Sequence, residues 1–387
     1  MPLRRRTVLL NLSAPFAAAA LSACGGGGES GSDPGPAPSP PPPPPPPSPP
    51  PAGSRTYVYV ANVGSDDLSG FEIVDAAAGK LSPLAGARVS TQGDEPRAVV
   101  ADRAGRFLYV ANRDTSSIAV FAIDAASGGL TPIAGSPFAI VDLPFGIAMH
   151  PDGRTAIVSS VGDNAVFMLR LDPSTGVPSR LSGPFAAGSA PGAVVLNAAG
   201  TLAFVANQFS RSVSVYAVDI ANARLAPVPG SPFDTGGDWV YQLALHPTES
   251  MLFAVNYDSG TVTAFTVAAN GALARVAGTP LAVGPQAYGA IVDAAGTHLY
   301  IAAGGSGQID GFDIDIARRT IAPMAGGPFD SGGTHGLVLD PTGRIAVVAD
   351  FGGNTITTLT PDGAGGLTMR EQWPTGSQPL AMGFVVV

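Results

Sequence analysis

Seven segments of the chain are variants of one another: PRAVVAD (96–102), PFGIAMH (144–150), PGAVVLN (191–197), VYQLALH (240–246), AYGAIVD (287–293), THGLVLD (334–340) and PLAMGFV (379–385). Their second residues are Arg97, Phe145, Gly192, Tyr241, Tyr288, His335 and Leu380. Structural duty repeated seven times is met by similar side chains, so variation at one column of a repeat is what a site needs. Arg97 supplies a permanent cation for an anionic group, His335 an imidazole able to exchange a proton, and the aromatic residues flat apolar faces. Nearby positions add Asp94, Glu95, Arg113, Asp114, Asp163, Gln208, Asp238, Trp239, Tyr257, Asp258 and Asp350. This combination suits a sugar, a lactone or a peptide turn.

Other reactive-looking residues read more simply. His150 and His246 precede proline in HPDG and HPTE and are expected to cap the turn after their strands, on the face opposite the variable column. His298 begins a strand and has no visible partner in the sequence. Asp313 and Asp315, beside Arg318 and Arg319, read as solvated ion pairs. No His/Cys cluster, phosphate-cradling loop or nucleophile elbow is present, so neither a metal nor a cofactor is expected.

The elements that must position the column come from a second recurring sentence, LYVANRDTSSIAVFAID (108–124). Its first strand ends at Asn112, and the equivalent ends fall at Asn62, Ser160, Asn207, Asn256, Ala303 and Asp350, at intervals of 47 to 50 residues. Each period holds four β-rich runs; in the second copy they are 107–112, 118–124, 130–134 and 145–150. Four short strands per period, repeated seven times, predict a single seven-bladed β-propeller, an all-β fold. The seven variable segments are its innermost strands, because small residues recur at their third position (Ala98, Gly146, Ala193, Gly289, Gly336, Ala381), where blades crowd the axis. The chain starts with three outer strands and stops on an inner one. The last strand is therefore expected to complete the first blade and close the ring, leaving no open edge.

Composition agrees: of 387 residues 50 are Gly and 38 Pro, and only 13% are charged. The net charge of −9 becomes three units more negative if the segment carrying Arg4, Arg5 and Arg6 is removed, which disfavours nucleic acid as a partner. That segment, residues 1–23, reads as an export signal: a basic start, an apolar stretch from Val8 to Leu21, then small residues. Leu21-Ser22-Ala23-Cys24 resembles the lipobox of bacterial lipoproteins, and Cys24 is the single cysteine of the chain. Residues 24–56 are a Gly/Ser/Pro-rich linker whose proline tract favours polyproline II, a spacer of about 55 Å. The expected product is exported and monomeric, held to a membrane of the cell envelope only through lipid on Cys24.

The LYVAN…IAVFAID pattern, followed by LTPIAGSPF and a Pro-initiated inner strand, resembles the lactonase family of seven-bladed propellers across residues 57–387. It is equally similar to the YVTN-type repeats of exported proteins. The resemblance implies lactone hydrolysis, with Arg97 holding the substrate and a carboxylate or His335 activating water. The family's Gly-x-Pro-Arg-His run stands here as Asp94-Glu95-Pro96-Arg97-Ala98, without its His, and no strand-end Asn is followed by Glu. On that departure and the export signal, the expectation is a module that binds a small sugar-like or lactone ligand, or a cell-envelope protein. The binding funnel would comprise Arg97, Phe145, Trp239, Tyr241, Tyr257, Tyr288 and His335. Lactone hydrolysis is the alternative.

Overall fold

The computed structural model describes residues 54–333 and 335–387. The basic start, Cys24 and the proline tract lie outside them. The described residues form seven antiparallel sheets and no helix. Blade 1 is Thr56–Asn62, Asp67–Asp75 and Lys80–Ser90, completed on its inner side by Pro379–Val386. Blades 2 to 7 follow in order, each beginning at its inner strand: Pro96–Ala101, Pro144–Met149, Pro191–Leu196, Val240–Leu245, Ala287–Val292 and Leu337–Leu339. Closure is as expected. Pairing runs from Thr56 opposite Val386 to Asn62 opposite Pro379, and Arg55 and Val387 exchange two further backbone bonds of 3.0 and 3.1 Å.

The core is divided among the blade interfaces, and the period of two within each strand explains why. In Tyr57-Val58-Tyr59-Val60, the tyrosines pack against Leu108, Val110 and Phe121 of blade 2. The valines pack against Ile345, Val347 and Ile356 of blade 7. Both faces are therefore apolar, as in any sheet covered on two sides. Seven such clusters occur, one for each pair of neighbouring blades.

The repeated sentence is also a hydrogen-bonding pattern. The strand-end Asn pins its own hairpin: Asn207 Nδ2 donates to Ser212 Oγ at 3.0 Å and Ser214 Oγ at 2.9 Å, and Asn256 Nδ2 to the equivalent threonines 261 and 263. The strand tyrosine reaches the following blade, with Tyr59 Oη donating to the Gly128 carbonyl at 2.7 Å and Tyr109 Oη to that of Gly176 at 2.9 Å. On the other face His150 and His246 cap their turns as expected, accepting from Asp152 N–H and Thr248 N–H. His246 Nε2 also lies 2.8 Å from the Gly296 carbonyl of the next blade. His298 departs from expectation: its Nδ1 lies 2.9 Å from Asp293 Oδ2, because Asp293 closes the turn that delivers His298 into its strand. Arg318 pairs with Asp315.

Candidate active site at the channel mouth

Inner strands meet one another around the axis, and the third-position residues are small because the next backbone is close. A Cβ on Gly146 would lie 2.5 Å from the Gly192 carbonyl oxygen, and one on Gly289 2.6 Å from that of His335. The residue just before six of the seven inner strands is turned into the left-handed region: Glu95 (φ 57°), Leu143 (40°), Ala190 (51°), Trp239 (57°), Gln286 (56°) and Gln378 (56°). Bulky residues adopt this conformation only when their surroundings impose it. Here a hairpin tip of the preceding blade does so. Asp66 Oδ1 accepts from Glu95 N–H at 2.8 Å, Asn164 Oδ1 from Ala190 N–H at 2.8 Å and Asn354 Oδ1 from Gln378 N–H at 2.8 Å.

The result is an axial cavity of about 180 Å3 lined by Arg97, Phe145, Tyr241, Tyr288, His335 and Leu380, with Ala98, Gly146, Ala193 and Gly289 between them. It adjoins a mouth of about 390 Å3 lined by Asp66, Asp94, Glu95, Asp114, Phe351 and Gln378, which shares Arg97, Tyr288 and Leu380. The aromatic rings form one connected belt. Phe145 meets Tyr241 at 5.8 Å, Tyr241 meets Tyr288 at 4.8 Å, Tyr288 meets His335 at 4.1 Å and His335 stacks on Phe351 at 4.6 Å. Arg97 closes the belt, its guanidinium 5.6 Å from the Phe145 ring centre.

Charge is concentrated on one side. Glu95 pairs with both Arg97 and Arg113, and Arg113 also bonds Asp114 at 2.9 Å. Burial pushes the Glu95 carboxyl up and the hydrogen bond with Asp114 adds to this, against the pull of the two guanidiniums. The same contact holds Asp114 down. Burial pulls Arg97 down, but Tyr241 and Glu95 together hold it above its usual value, so it remains a cation. Its Nε is buried and donates to no protein group. Across the cavity, burial lowers His335 to about 4 despite the nearby Asp350, leaving a neutral imidazole at pH 7.

The variable column thus meets at one cavity, with one exception. Gly192 is not in the lining: the Gln208 amide occupies its place, Nε2 lying 2.5 Å from where a Cβ of Gly192 would be. Trp239 and Tyr257 stand behind the lining, Trp239 against Tyr257 at 5.3 Å and Tyr257 against Tyr288 at 4.7 Å. Among the loop residues, Asp94, Glu95 and Asp114 line the mouth, whereas Asp163 bonds Ser160 of its own hairpin and Asp238 pairs with Arg211, outside both linings. Asp258 is exposed and lines neither space. Phe351 was missed, although it follows strand-end Asp350 in the column that holds Arg113, Gln208 and Tyr257. Asp66 and Gln378 carried no chemical signal of their own. Among the described residues no group of three or more His, Cys, Asp or Glu side chains is placed to hold a metal ion.

Comparison with known proteins agrees with this geometry. Residues 52–140, 144–237 and 231–379 match the family described as "Lactonase, 7-bladed beta-propeller". The chain is 28% identical over 163 residues to a 6-phosphogluconolactonase of Bacillus subtilis (strain 168), covering 41% of this chain and 46% of the relative. It is 28% identical over 173 residues to one of Sodalis glossinidius (strain morsitans), covering 43% and 52%. The aligned part thus spans about half the length of these curated relatives. The solved periplasmic gluconolactonase PpgL of Pseudomonas aeruginosa superposes with a TM-score of 0.72 at 20% identity, over 86% of this chain and 99% of that one.

Proposed function

The chain belongs to the lactonase family of seven-bladed β-propellers, and on that premise we propose that its axial cavity hydrolyses the ring ester of a sugar-like lactone. This reading, the alternative at the sequence level, takes precedence over simple ligand binding because the family match runs from residue 52 to residue 379, across all seven blades except most of the closing strand. The observation that carries it is that Arg97 and His335, a fixed cation and a neutral imidazole, line one small cavity. Arg97 receives the lactone carbonyl oxygen and stabilises the oxyanion that forms on it. His335 takes a proton from the attacking water and returns it to the ring oxygen as the C–O bond breaks, yielding a hydroxy acid. The missing family His at Ala98 is compatible with this assignment, since the base then stands on blade 7.

The mouth selects against a phosphorylated substrate. Asp66, Asp94, Glu95 and Asp114 surround it, and its two guanidiniums, Arg97 and Arg113, are already paired with Glu95. A phosphate dianion would face uncompensated carboxylates. The test is acid release above the spontaneous rate from glucono-δ-lactone and its 6-phosphate, with wild type, Arg97→Ala and His335→Gln. We expect turnover of the uncharged lactone, a loss of about 100-fold or more in kcat/KM in either variant, and a rate limb near pH 4. Background rates with both lactones would overturn the hydrolase.

A further inference from the structure

One aromatic residue outside the core clusters is set apart by its exposure. Phe209 is 60% exposed, the only aromatic side chain in the exposed class among the described residues. It follows Gln208 in the hairpin between Leu202–Asn207 and Ser212–Asp219, and its ring meets Trp239 edge-on at 5.2 Å. From there the rings continue inward, Trp239 to Tyr257 at 5.3 Å and Tyr257 to Tyr288 at 4.7 Å, so the exposed face is joined to the cavity wall by a short aromatic path. Two buried donors flank that path without protein partners, Trp239 Nε1 and Gln208 Nε2. Gln208 is only 5% exposed. A buried N–H left unmatched is costly unless something outside the chain accepts from it.

An apolar flat face beside unmatched donors has the chemistry that recognises a sugar ring, whose C–H face stacks on aromatics and whose hydroxyls accept hydrogen bonds. Resting on the hydrolase reading above, we propose that Phe209, Trp239 and Gln208 form a second subsite that seats a sugar ring glycosidically joined to the lactone. The axial cavity of about 180 Å3 accommodates one ring, and the exposed face of Phe209 holds the next. The substrate class is therefore a disaccharide aldonolactone, and the reaction that supplies it is oxidation of the reducing end of an oligosaccharide. The acidic mouth has no objection to such a ligand, which is uncharged.

The experiment compares glucono-δ-lactone with the δ-lactone of cellobionic acid, in wild type and in Phe209→Ala and Trp239→Phe. The expected result is a kcat/KM about ten-fold higher for the two-ring lactone, expressed in KM, as stacking of one ring supplies. Phe209→Ala removes that advantage and leaves the one-ring lactone unaffected. Equal kcat/KM for the two lactones in wild type, or a parallel loss for both in Phe209→Ala, overturns the subsite while leaving the hydrolase in place. A second readout does not need turnover: in a Trp373→Phe background Trp239 is the sole tryptophan, and its fluorescence is titrated with cellobiose. A saturable change abolished by Phe209→Ala supports the subsite even if neither lactone is hydrolysed; no change overturns it.

Discussion

His335 carries the clearest pH signature of any single side chain. Its folded value of about 4 lies below the ordinary histidine value of 6.5, so between these limits the unfolded chain binds a proton that the native one refuses. Stability contributed by neutral His335 is thus complete above pH 6.5 and is lost as the pH falls towards 4. The loss is on the order of 2 kcal/mol, since part of the imidazole still meets solvent. Urea midpoints at pH 7 and 4.5 should differ less in His335→Phe than in wild type; equal slopes would show that the imidazole is not shielded. Gly146 is a steric counterpart. Gly146→Val would drive a side chain into the Gly192 carbonyl, and a destabilisation of about 2 kcal/mol or more is expected in thermal melts.

At the scale of elements, the blades are held by bonds that the repeat makes once per period. Tyr59→Phe removes a buried hydroxyl and strands the Gly128 carbonyl, so it should cost about 1–2 kcal/mol with no effect on lactone kinetics. Asp66 is different, because its carboxylate both lines the mouth and holds the left-handed turn at Glu95. Asp66→Asn keeps an acceptor for Glu95 N–H while reducing the negative charge. It should therefore narrow the preference for uncharged over phosphorylated lactone without unfolding the turn; an unchanged ratio of the two rates would remove Asp66 from the selectivity.

For the molecule as a whole, seven separate interfaces make closure indispensable. A chain ending at Gln378 loses the strand that covers Val58 and Val60 on the axial side and leaves Thr56–Asn62 as an open edge. It should be insoluble or melt far below the full ring; an unchanged cooperative melt would contradict closure by this strand. Where the ring works depends on residues outside it. We propose from Leu21-Ser22-Ala23-Cys24 that the protein is exported and lipidated. Cys24→Ser should move it from the membrane to the soluble fraction, or leave it unprocessed, and a soluble wild type with a free thiol would refute the anchor.

Blade number, closure and the column facing the axis were legible in the sequence, because each follows from periods of two and of about 48 residues, and periodicity survives in one dimension. Arg97, Phe145, Tyr241, Tyr288 and His335 could be named for the same reason: they occupy one phase of that repeat. What only the tertiary structure decided are relations between blades. Gln208 fills the space left by Gly192, Phe351 stacks on His335, Glu95 is shared between Arg97 and Arg113, and His298 finds Asp293. The state of His335 belongs to the same class, since desolvation depends on every neighbour that excludes water. Side-chain reach and burial are set by packing in three dimensions, and no spacing along the chain encodes them.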